Sequence, residues 1–249
     1  MNKFETFAAL HVPGDPLVLF NVWDAGSAKA AERAGARAVA SGSASVADAL
    51  GFADGEDVPL DLALENAARI VGAVTLPVTI DFESGYSADA EAAAANVTRL
   101  AATGAIGCNF EDQRIGGQGI YAAAEQAARI AAVRAAVGPD FFINARTDLF
   151  LQAAPDTHDD AMVDAAIERA HTYAEAGASG FFVPLLADLR LLGRVCKASP
   201  LPVNFMAFPG APSAADVAAT GVARISHGPF PYKLAIKAFE DAARAAFAG

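Results

Sequence analysis

Four copies of one short pattern constrain the fold of this chain more than any other feature. In each copy a helical segment ends at a glycine between small residues and leads directly into an apolar strand: ERAGARAVAS, AATGAIGCNF, AEAGASGFFV and AATGVARISH. The glycines, Gly35, Gly104, Gly177 and Gly221, stand where the end of a helix favours a left-handed backbone. Four such joins predict a chain built from repeated strand and helix units.

Other short apolar runs bring the number of predicted strands to eight. They are continuous and do not alternate, which is typical of parallel strands buried on both faces. Alanine-rich helical segments separate them, and roughly 250 residues is the usual size of a (β/α)8 barrel. The sequence therefore predicts a single (β/α)8 TIM-type barrel over residues 1–249, with an open doubly wound sheet as the alternative. The predicted strands are 17–21, 38–41, 77–81, 107–111, 141–146, 180–183, 202–205 and 222–226.

Composition excludes several classes of partner. The chain has 29 acidic and 18 basic side chains and a net charge of −11, so neither nucleic acid nor an anionic membrane surface is an expected partner. No apolar run approaches the roughly 20 residues of a spanning helix, and Glu5 interrupts the apolar region that a signal peptide needs. We expect a cytoplasmic protein in which Cys108 and Cys196 are reduced core residues.

Polar residues follow most of the predicted strands, at the end where a barrel carries its chemistry. For Asp24 and Asp148, capping of a following helix is an equally good interpretation. We assign Trp23, Asp24 and Asn204 to substrate binding. The full set is Asn21, Trp23, Asp24, Ser41, Gly42, Ser43, Asp81, Glu83, Glu111, Asp112, Asn144, Arg146, Asp148, Asn204 and His227.

The acidic members of this set indicate a metal ion. Asp81, Glu83, Glu111 and Asp54 are expected to converge on one mouth of the barrel, where carboxylates repel unless they share a cation or a proton. Oxygen ligands without His or Cys at metal spacing favour a hard ion, Mg²⁺ or Mn²⁺, held by one or two carboxylates and water. A solvated acidic rim is the alternative.

Arg146 and the Ser41–Gly42–Ser43 segment are the residues expected to bind the negatively charged groups of a substrate. Arg146 is expected to point into the same mouth, where its guanidinium would stabilise charge on a bound oxyanion; a structural ion pair with Glu111 is the alternative. Ser41, Gly42 and Ser43 offer backbone N–H groups and hydroxyls that suit a substrate carboxylate.

The succession FNVWDAGSA, SGSASVADALGFADGE, VTIDFESGYS, CNFEDQ and FINARTDLF resembles the isocitrate lyase/phosphoenolpyruvate mutase superfamily over nearly the whole chain. The resemblance implies an oligomeric barrel with Mg²⁺ near its mouth and 2-oxo acid or dicarboxylate ligands that react through an enolate. Ser41, Gly42 and Ser43 match the family's substrate carboxylate loop, Asp54 its Gly-x-x-Asp turn, Asp81 the first acid of its metal motif, Glu111 its Glu-Asp-Gln and Arg146 its Ala-Arg-Thr-Asp. Glu83 stands where the family's second metal-motif acid is usually Asp.

The loop after Gln113 departs from the family. It reads RIGGQGIY and lacks the Cys that acts as acid/base in the lyases, as well as the Lys and Asn of the phosphonate mutases. Its titratable side chains are Arg114 and Tyr121, and Tyr121 is the predicted, slow proton donor. We therefore expect no useful cleavage of isocitrate or methylisocitrate.

Together these features predict a Mg²⁺-dependent carbon–carbon lyase that acts on a small 2-oxo dicarboxylate, with oxaloacetate decarboxylation as the simplest case. Loss of CO₂ from such an acid needs an electron sink and no protein nucleophile. The alternatives are P–C bond chemistry of the phosphonopyruvate type and a non-catalytic 2-oxo acid binding barrel. The resemblance further implies a homo-oligomer, a dimer or a tetramer, whose subunits exchange C-terminal helices through segment 232–248.

Overall fold

The computed structural model describes residues 2–248, which form eight parallel strands in a nearly closed TIM-like barrel. From β2 to β8 each strand pairs with the next one in the sequence, and β1 pairs with β8. Val22 and Ser41 form a parallel bridge at the seam between β1 and β2. The predicted fold class is confirmed. The strands are β1 Leu17–Leu19, β2 Val39–Ala40, β3 Val78–Asp81, β4 Gly107–Glu111, β5 Phe142–Arg146, β6 Gly180–Phe182, β7 Val203–Met206 and β8 Arg224–Ser226.

Helices connect the strands and surround the barrel. Most begin at a side chain that accepts a hydrogen bond from the third helical residue, a cap that stabilises a helix by about 1 kcal/mol. Asp24 caps α2 in this way and Asp159 caps α7. The helices are α1 Lys3–Ala9, α2 Ala25–Arg33, α3 Ser43–Leu50, α4 Leu60–Ala73, α5 Ala90–Ala102, α6 Ala123–Val137, α7 Asp160–Glu175, α8 Leu189–Ala198, α9 Ala214–Ala219 and α10 Phe230–Phe247.

The four glycines of the repeated join adopt the predicted conformation. Gly35, Gly104, Gly177 and Gly221 have φ values between +92° and +98°. At Gly177 a Cβ would also lie 2.8 Å from the Cγ of Arg134. The joins are therefore positions where glycine is required by the backbone, and they turn each helix directly into the next strand.

Helix α1 closes the barrel at the amino ends of the strands. The ring of Phe7 packs edge-on against Phe142, the first residue of β5, with centroids 5.1 Å apart, and His11 stacks on the same ring. Leu17 and Leu19 complete this part of the core. The barrel can therefore admit a ligand at the opposite end, where the strands carry their carboxyl termini.

The cysteines lie where the sequence predicts. Cys108 is buried in β4 and Cys196 is half-buried in α8, and both are free thiols. Burial raises the pKa of the Cys196 thiol to about 11. These cysteines are therefore packed, protonated residues at neutral pH.

The last helix leaves a large apolar surface exposed. Helix α10 is buried only at Pro231 and Tyr232 in its first turn, and Phe239 and Leu234 are 73% and 64% exposed. The side chains of Val18 on β1 and of Phe20, the residue that follows β1, are about half exposed. Within residues 2–248, no helix combines the length and apolar character needed to cross a membrane.

Candidate active site

A cavity of about 180 Å³ lies at the carboxyl ends of the strands. Residues from around the barrel line it, and six of the residues singled out in the sequence are among them. These six are Asn21, Gly42, Ser43, Asp54, Asp81 and Arg146. The structure therefore brings together a carboxylate pair, a guanidinium and the small-residue segment that precedes α3.

Asp81, at the end of β3, is held in place by hydrogen bonds from Ser43 and Asn109. Its Oδ2 accepts hydrogen bonds from the backbone N and the Oγ of Ser43, both at 3.1 Å, and its Oδ1 accepts one from Nδ2 of Asn109 at 3.1 Å. The backbone N–H of Asp81 donates to Oγ of Ser41 at 2.9 Å. Ser41 and Ser43, predicted to bind a substrate carboxylate, are thus engaged with Asp81, although Ser43 also lines the cavity.

Asn109 receives its orientation from two buried neighbours. Its Oδ1 accepts from Nδ2 of Asn144 at 2.8 Å and from Nη2 of Arg224 at 3.3 Å, which directs its own Nδ2 to Asp81. Burial lowers the pKa of Arg224 to about 10, while the charge of Asp81 acts in the opposite direction. Sequence reasoning assigned no role to Asn109 or Arg224, although a polar residue inside an apolar strand (CNFE, ARIS) was an available signal.

Negative charge accumulates around Asp81. Burial, followed by the charges of Asp81, Asp54 and Glu56, raises the pKa of Glu83 to about 8. Partial desolvation and the charge of Asp81 raise the pKa of Asp54. Glu83 lines a small adjoining cavity together with Asp81. Burial is the larger cause of both shifts and the neighbouring carboxylates add to it, so positive charge nearby would favour the ionised forms.

The four predicted metal residues are only partly brought together. Asp81 and Asp54 line the main cavity, Glu83 lies behind them, and Glu111 forms an ion pair with Arg146 instead. Among the described residues, no three His, Cys, Asp or Glu side chains are arranged to hold a metal ion by themselves. The main cavity therefore offers a metal ion at most two carboxylates, those of Asp81 and Asp54.

Arg146 is held by two buried carboxylates. Its Nη1 lies 2.8 Å from Oε2 of Glu111, and its Nε and Nη2 donate to the two carboxylate oxygens of Asp148 at 2.6 and 2.9 Å. The ion pair with Glu111, considered from the sequence, is present. The helix-cap interpretation of Asp148 is wrong: its carboxylate receives Arg146, and Asp159 caps the next α-helix. Arg146 therefore reaches the cavity as a pre-oriented group.

The loop between β3 and α5 has a strained backbone, and residues outside the loop hold it in place through hydrogen bonds. Glu83, Tyr86 and the neighbouring Glu56 have φ values of +51°, +58° and +62°, and each such residue costs about 1–3 kcal/mol. Oε1 of Glu56 accepts from the backbone N of Ser84 and Tyr86, and Arg129 donates to the Ser84 carbonyl. Glu56 and Arg129, which sequence reasoning missed, hold the segment that carries Asp81.

Besides Ser41, Glu83 and Glu111, four residues predicted to bind substrate or donate a proton lie outside the cavity lining of the described chain. Trp23 packs on Tyr232 with ring centroids 5.2 Å apart, Asp24 caps α2 through the backbone N–H of Ser27, and Asn204 is buried in β7. These placements give the substrate-binding roles predicted for them no support.

The fourth, Tyr121, is buried with its ring between two guanidinium groups. Arg114 and Arg129 lie 4.3 and 4.6 Å from its centroid. Arg114 also forms an ion pair with Glu125 in α6 at 2.5 Å. This packing does not support proton donation by Tyr121.

Comparisons with known proteins agree with this architecture. Residues 7–247 match the family model described as phosphoenolpyruvate phosphomutase. The crystal structure of a "putative phosphonomutase" from Burkholderia cenocepacia J2315 superposes with a TM-score of 0.95 at 48% identity and covers 98% of both chains.

Two curated relatives extend the comparison. An uncharacterized protein of Mycobacterium tuberculosis (strain ATCC 25618 / H37Rv) is 35% identical over 96% of this chain and 88% of its own. The 2-methylisocitrate lyase of Escherichia coli (strain K12) is 33% identical over 78% of this chain and 70% of its own. On this agreement of sequence and fold, the chain belongs to the phosphoenolpyruvate mutase/isocitrate lyase superfamily.

Proposed function

We propose that this protein is a Mg²⁺-dependent enzyme that cleaves a carbon–carbon bond next to the carbonyl of a small 2-oxo (di)carboxylate, in the manner of an oxaloacetate decarboxylase. The observation that carries the proposal is the placement of Asp81. Its carboxylate is fixed by Ser43 and Asn109 in a cavity that also contains Asp54 and the oriented guanidinium of Arg146.

The residues present fit a hard divalent cation. Burial, and after it the charge of Asp81, raises the pKa values of Asp54 and Glu83, and a cation would offset the charge repulsion. Mg²⁺ is commonly bound by one or two carboxylates and several waters, so three converging acids are not needed. Asp81 would hold the ion, with Asp54 and Glu83 adding negative charge nearby. Mn²⁺ would suit the same oxygen donors.

One more distant relative supports Mg²⁺ as the ion and indicates a test ligand. A phosphonopyruvate hydrolase, which shares the fold at 22% identity, has been solved as a complex with oxalate and Mg++. Oxalate carries two adjacent carboxylates and therefore resembles the enolate form of a 2-oxo acid. It is accordingly a suitable test ligand for the proposed site.

The bound ion would supply positive charge close to the oxyanion that develops as the bond breaks. Arg146 contributes a second positive charge, which Glu111 and Asp148 orient in advance so that it need not reorganise during the reaction. In oxaloacetate decarboxylation the C3–C4 bond breaks, CO₂ leaves, the electron pair passes to the 2-oxo group, and a proton adds to C3. None of these steps requires a protein nucleophile.

Steady-state turnover tests the proposal. Oxaloacetate decarboxylation is followed in Mg²⁺ and in EDTA, with the rate of a protein-free Mg²⁺ solution subtracted. We expect turnover that needs Mg²⁺ and is lost in Asp81→Asn but kept in Asp156→Asn, a matched change at an exposed residue outside the cavity. The absence of any protein-dependent rate would reject the decarboxylase assignment.

Phosphonopyruvate-type P–C bond chemistry is the second candidate. The family model and the Burkholderia cenocepacia structure favour it. Against it, Arg146 is the only basic side chain among the described residues of the cavity lining, and two carboxylates already neutralise it. Phosphorus NMR of a phosphonopyruvate incubation distinguishes this chemistry, and binding of 2-oxo acids without turnover of either substrate would indicate a non-catalytic binding barrel.

We also propose that the protein is a homo-oligomer in which α10 covers a neighbouring subunit. Val18 and Phe20 leave the outer face of β1 apolar and exposed, and Leu234 and Phe239 do the same for α10. Exposed apolar patches of this kind mark association surfaces. A second copy of the chain offers a matching partner for both surfaces at once, which favours a closed dimer.

A further inference from the structure

One side of the cavity is apolar. Its lining there consists of Leu151, Phe182, Pro184, Met206 and Pro229. These residues, which we call the apolar wall, come from four separate segments: the loop after β5, the end of β6, the end of β7 and the loop after β8. Phe182 and Pro184 are buried, whereas the other three are half-buried and face the cavity.

Most of the apolar wall lies across the barrel from Asp81 and Ser43, whereas Arg146 at the end of β5 borders the wall at Phe182, with its guanidinium 5.9 Å from the ring centroid. The strand order runs from β1 through β8 and β7 to β2, so β6 and β7 stand opposite β2 and β3 in the ring. Met206 on β7 therefore faces the side that carries Asp81, and Phe182 on β6 faces the side that carries Ser43. A ligand whose acidic head binds near Asp81 would extend its remaining atoms toward the apolar wall.

The wall offers nothing to neutralise a second carboxylate. In the described lining the charged side chains are Asp54, Asp81 and Arg146, and Glu111 and Asp148 already occupy the guanidinium. A carboxylate placed against apolar side chains without a partner loses its hydration without compensation. An aliphatic group in the same place gains from leaving water.

We propose that the substrate carries a short aliphatic substituent at C3 and that the apolar wall binds it. This inference rests on the proposed function, since it takes the 2-oxo acid head to lie near Asp81. In the proposed cleavage the substituent stays on C3, where the new proton is added, and the carboxylate at C4 leaves as CO₂. The substrate class is therefore a 3-alkyl 2-oxo dicarboxylate, and the product is a longer 2-oxo monocarboxylate.

Binding of matched ligands tests the wall. Calorimetric titrations in Mg²⁺ begin with oxalate, which has no alkyl chain. Pyruvate, 2-oxobutanoate and 2-oxopentanoate follow, and their alkyl chains lengthen by one carbon at each step. We expect the dissociation constant to fall about fourfold for each added methylene that is fully buried. 2-Oxopentanoate and 2-oxoglutarate have the same chain length and differ only in the terminal group, and we expect the carboxylate form to bind about tenfold more weakly or worse.

A charge placed in the wall should reverse this preference. In Met206→Lys we expect 2-oxoglutarate to gain affinity and 2-oxopentanoate to lose it, while Leu50→Lys, at an exposed position on α3 outside the cavity, leaves both unchanged. If Met206→Lys does not fold by circular dichroism, Leu151→Lys, in the loop after β5, makes the same test.

The outcomes separate the two proposals. Oxalate binding together with a flat methylene series, or equal affinity for 2-oxopentanoate and 2-oxoglutarate, would overturn the aliphatic substituent and leave the proposed function standing. A failure of oxalate to bind in Mg²⁺ would overturn the proposed function and this inference with it.

Discussion

Replacement of Arg146 by Met should destabilise the protein strongly at neutral pH. The guanidinium lies 2.8 Å from Glu111 and 2.6 and 2.9 Å from the two oxygens of Asp148. The side chains of Glu111 and Asp148 are only 3% and 0% exposed, so water cannot replace the lost partner. Removing one member of a buried ion pair costs about 3–5 kcal/mol, and we expect a loss of this size in the free energy of unfolding.

The loss in the free energy of unfolding of Arg146→Met should depend on pH. Burial raises the pKa of Glu111, and Arg146 opposes that shift, so the pKa rises further in the variant. A carboxyl group whose pKa is higher in the folded state destabilises the fold once pH exceeds its unfolded pKa of about 4.3. Both proteins lose this contribution in parallel until pH reaches the wild-type folded pKa of Glu111, and above it only Arg146→Met continues to lose stability, so their difference should widen between pH 5 and pH 8.

Urea denaturation in EDTA at these two pH values measures the effect. Arg69→Met is the matched control, because Arg69 forms an exposed pair with Glu65 in α4 at 2.5 Å and such pairs contribute at most about 1 kcal/mol. If Arg146→Met costs no more than Arg69→Met, or costs the same at both pH values, the reasoning about the buried carboxylates is refuted.

Three further predictions concern other parts of the molecule. Because the pKa of Glu83 is raised to about 8, wild type loses stability as pH rises from about 4.3. The melting temperature of Glu83→Gln in EDTA should therefore increase relative to wild type between pH 5 and pH 9, and an equal difference at both pH values would contradict the shift. Release of glyoxylate or pyruvate from isocitrate or methylisocitrate should be negligible, because a lid acid is commonly worth about 10²–10⁴-fold; rapid release that survives Tyr121→Phe would show that the acid comes from elsewhere. Light scattering should give a mass above that of the monomer, and Phe239→Glu on α10 should reduce it, whereas a monomeric wild type would contradict the assembly proposal.

The barrel could be predicted because its signals are local. A glycine after a helix and an apolar run after the glycine are each visible within ten residues, and Gly35, Gly104, Gly177 and Gly221 adopt the required φ values. The strand ends also locate Asp81 and Arg146, since parallel strands bring their carboxyl ends to one side of a barrel.

The site could be predicted only in part because side-chain partners depend on distant segments. Glu111 and Asp81 occupy equivalent strand ends, yet Glu111 pairs with Arg146 whereas Asp81 lines the cavity. Glu56 reaches the loop after β3 across 28 residues of sequence, and Arg224 reaches Asn109 across 115. The spacing of residues along the sequence does not predict such long-range contacts. Tyr121 looked available in a glycine-rich loop, but its ring is packed between two arginines.

Metal-dependent binding of oxalate, compared between wild type and Asp81→Asn, tests whether this cavity is a Mg²⁺ site for 2-oxo acids. Calorimetric titrations are made in Mg²⁺ and in EDTA, with Asp156→Asn as the control. We predict that oxalate binds wild type and the control only when Mg²⁺ is present, and that Asp81→Asn weakens Mg²⁺ binding by about tenfold or more. Oxalate binding that is equal in EDTA, or an Asp81→Asn variant with wild-type affinity for Mg²⁺, would contradict the assignment.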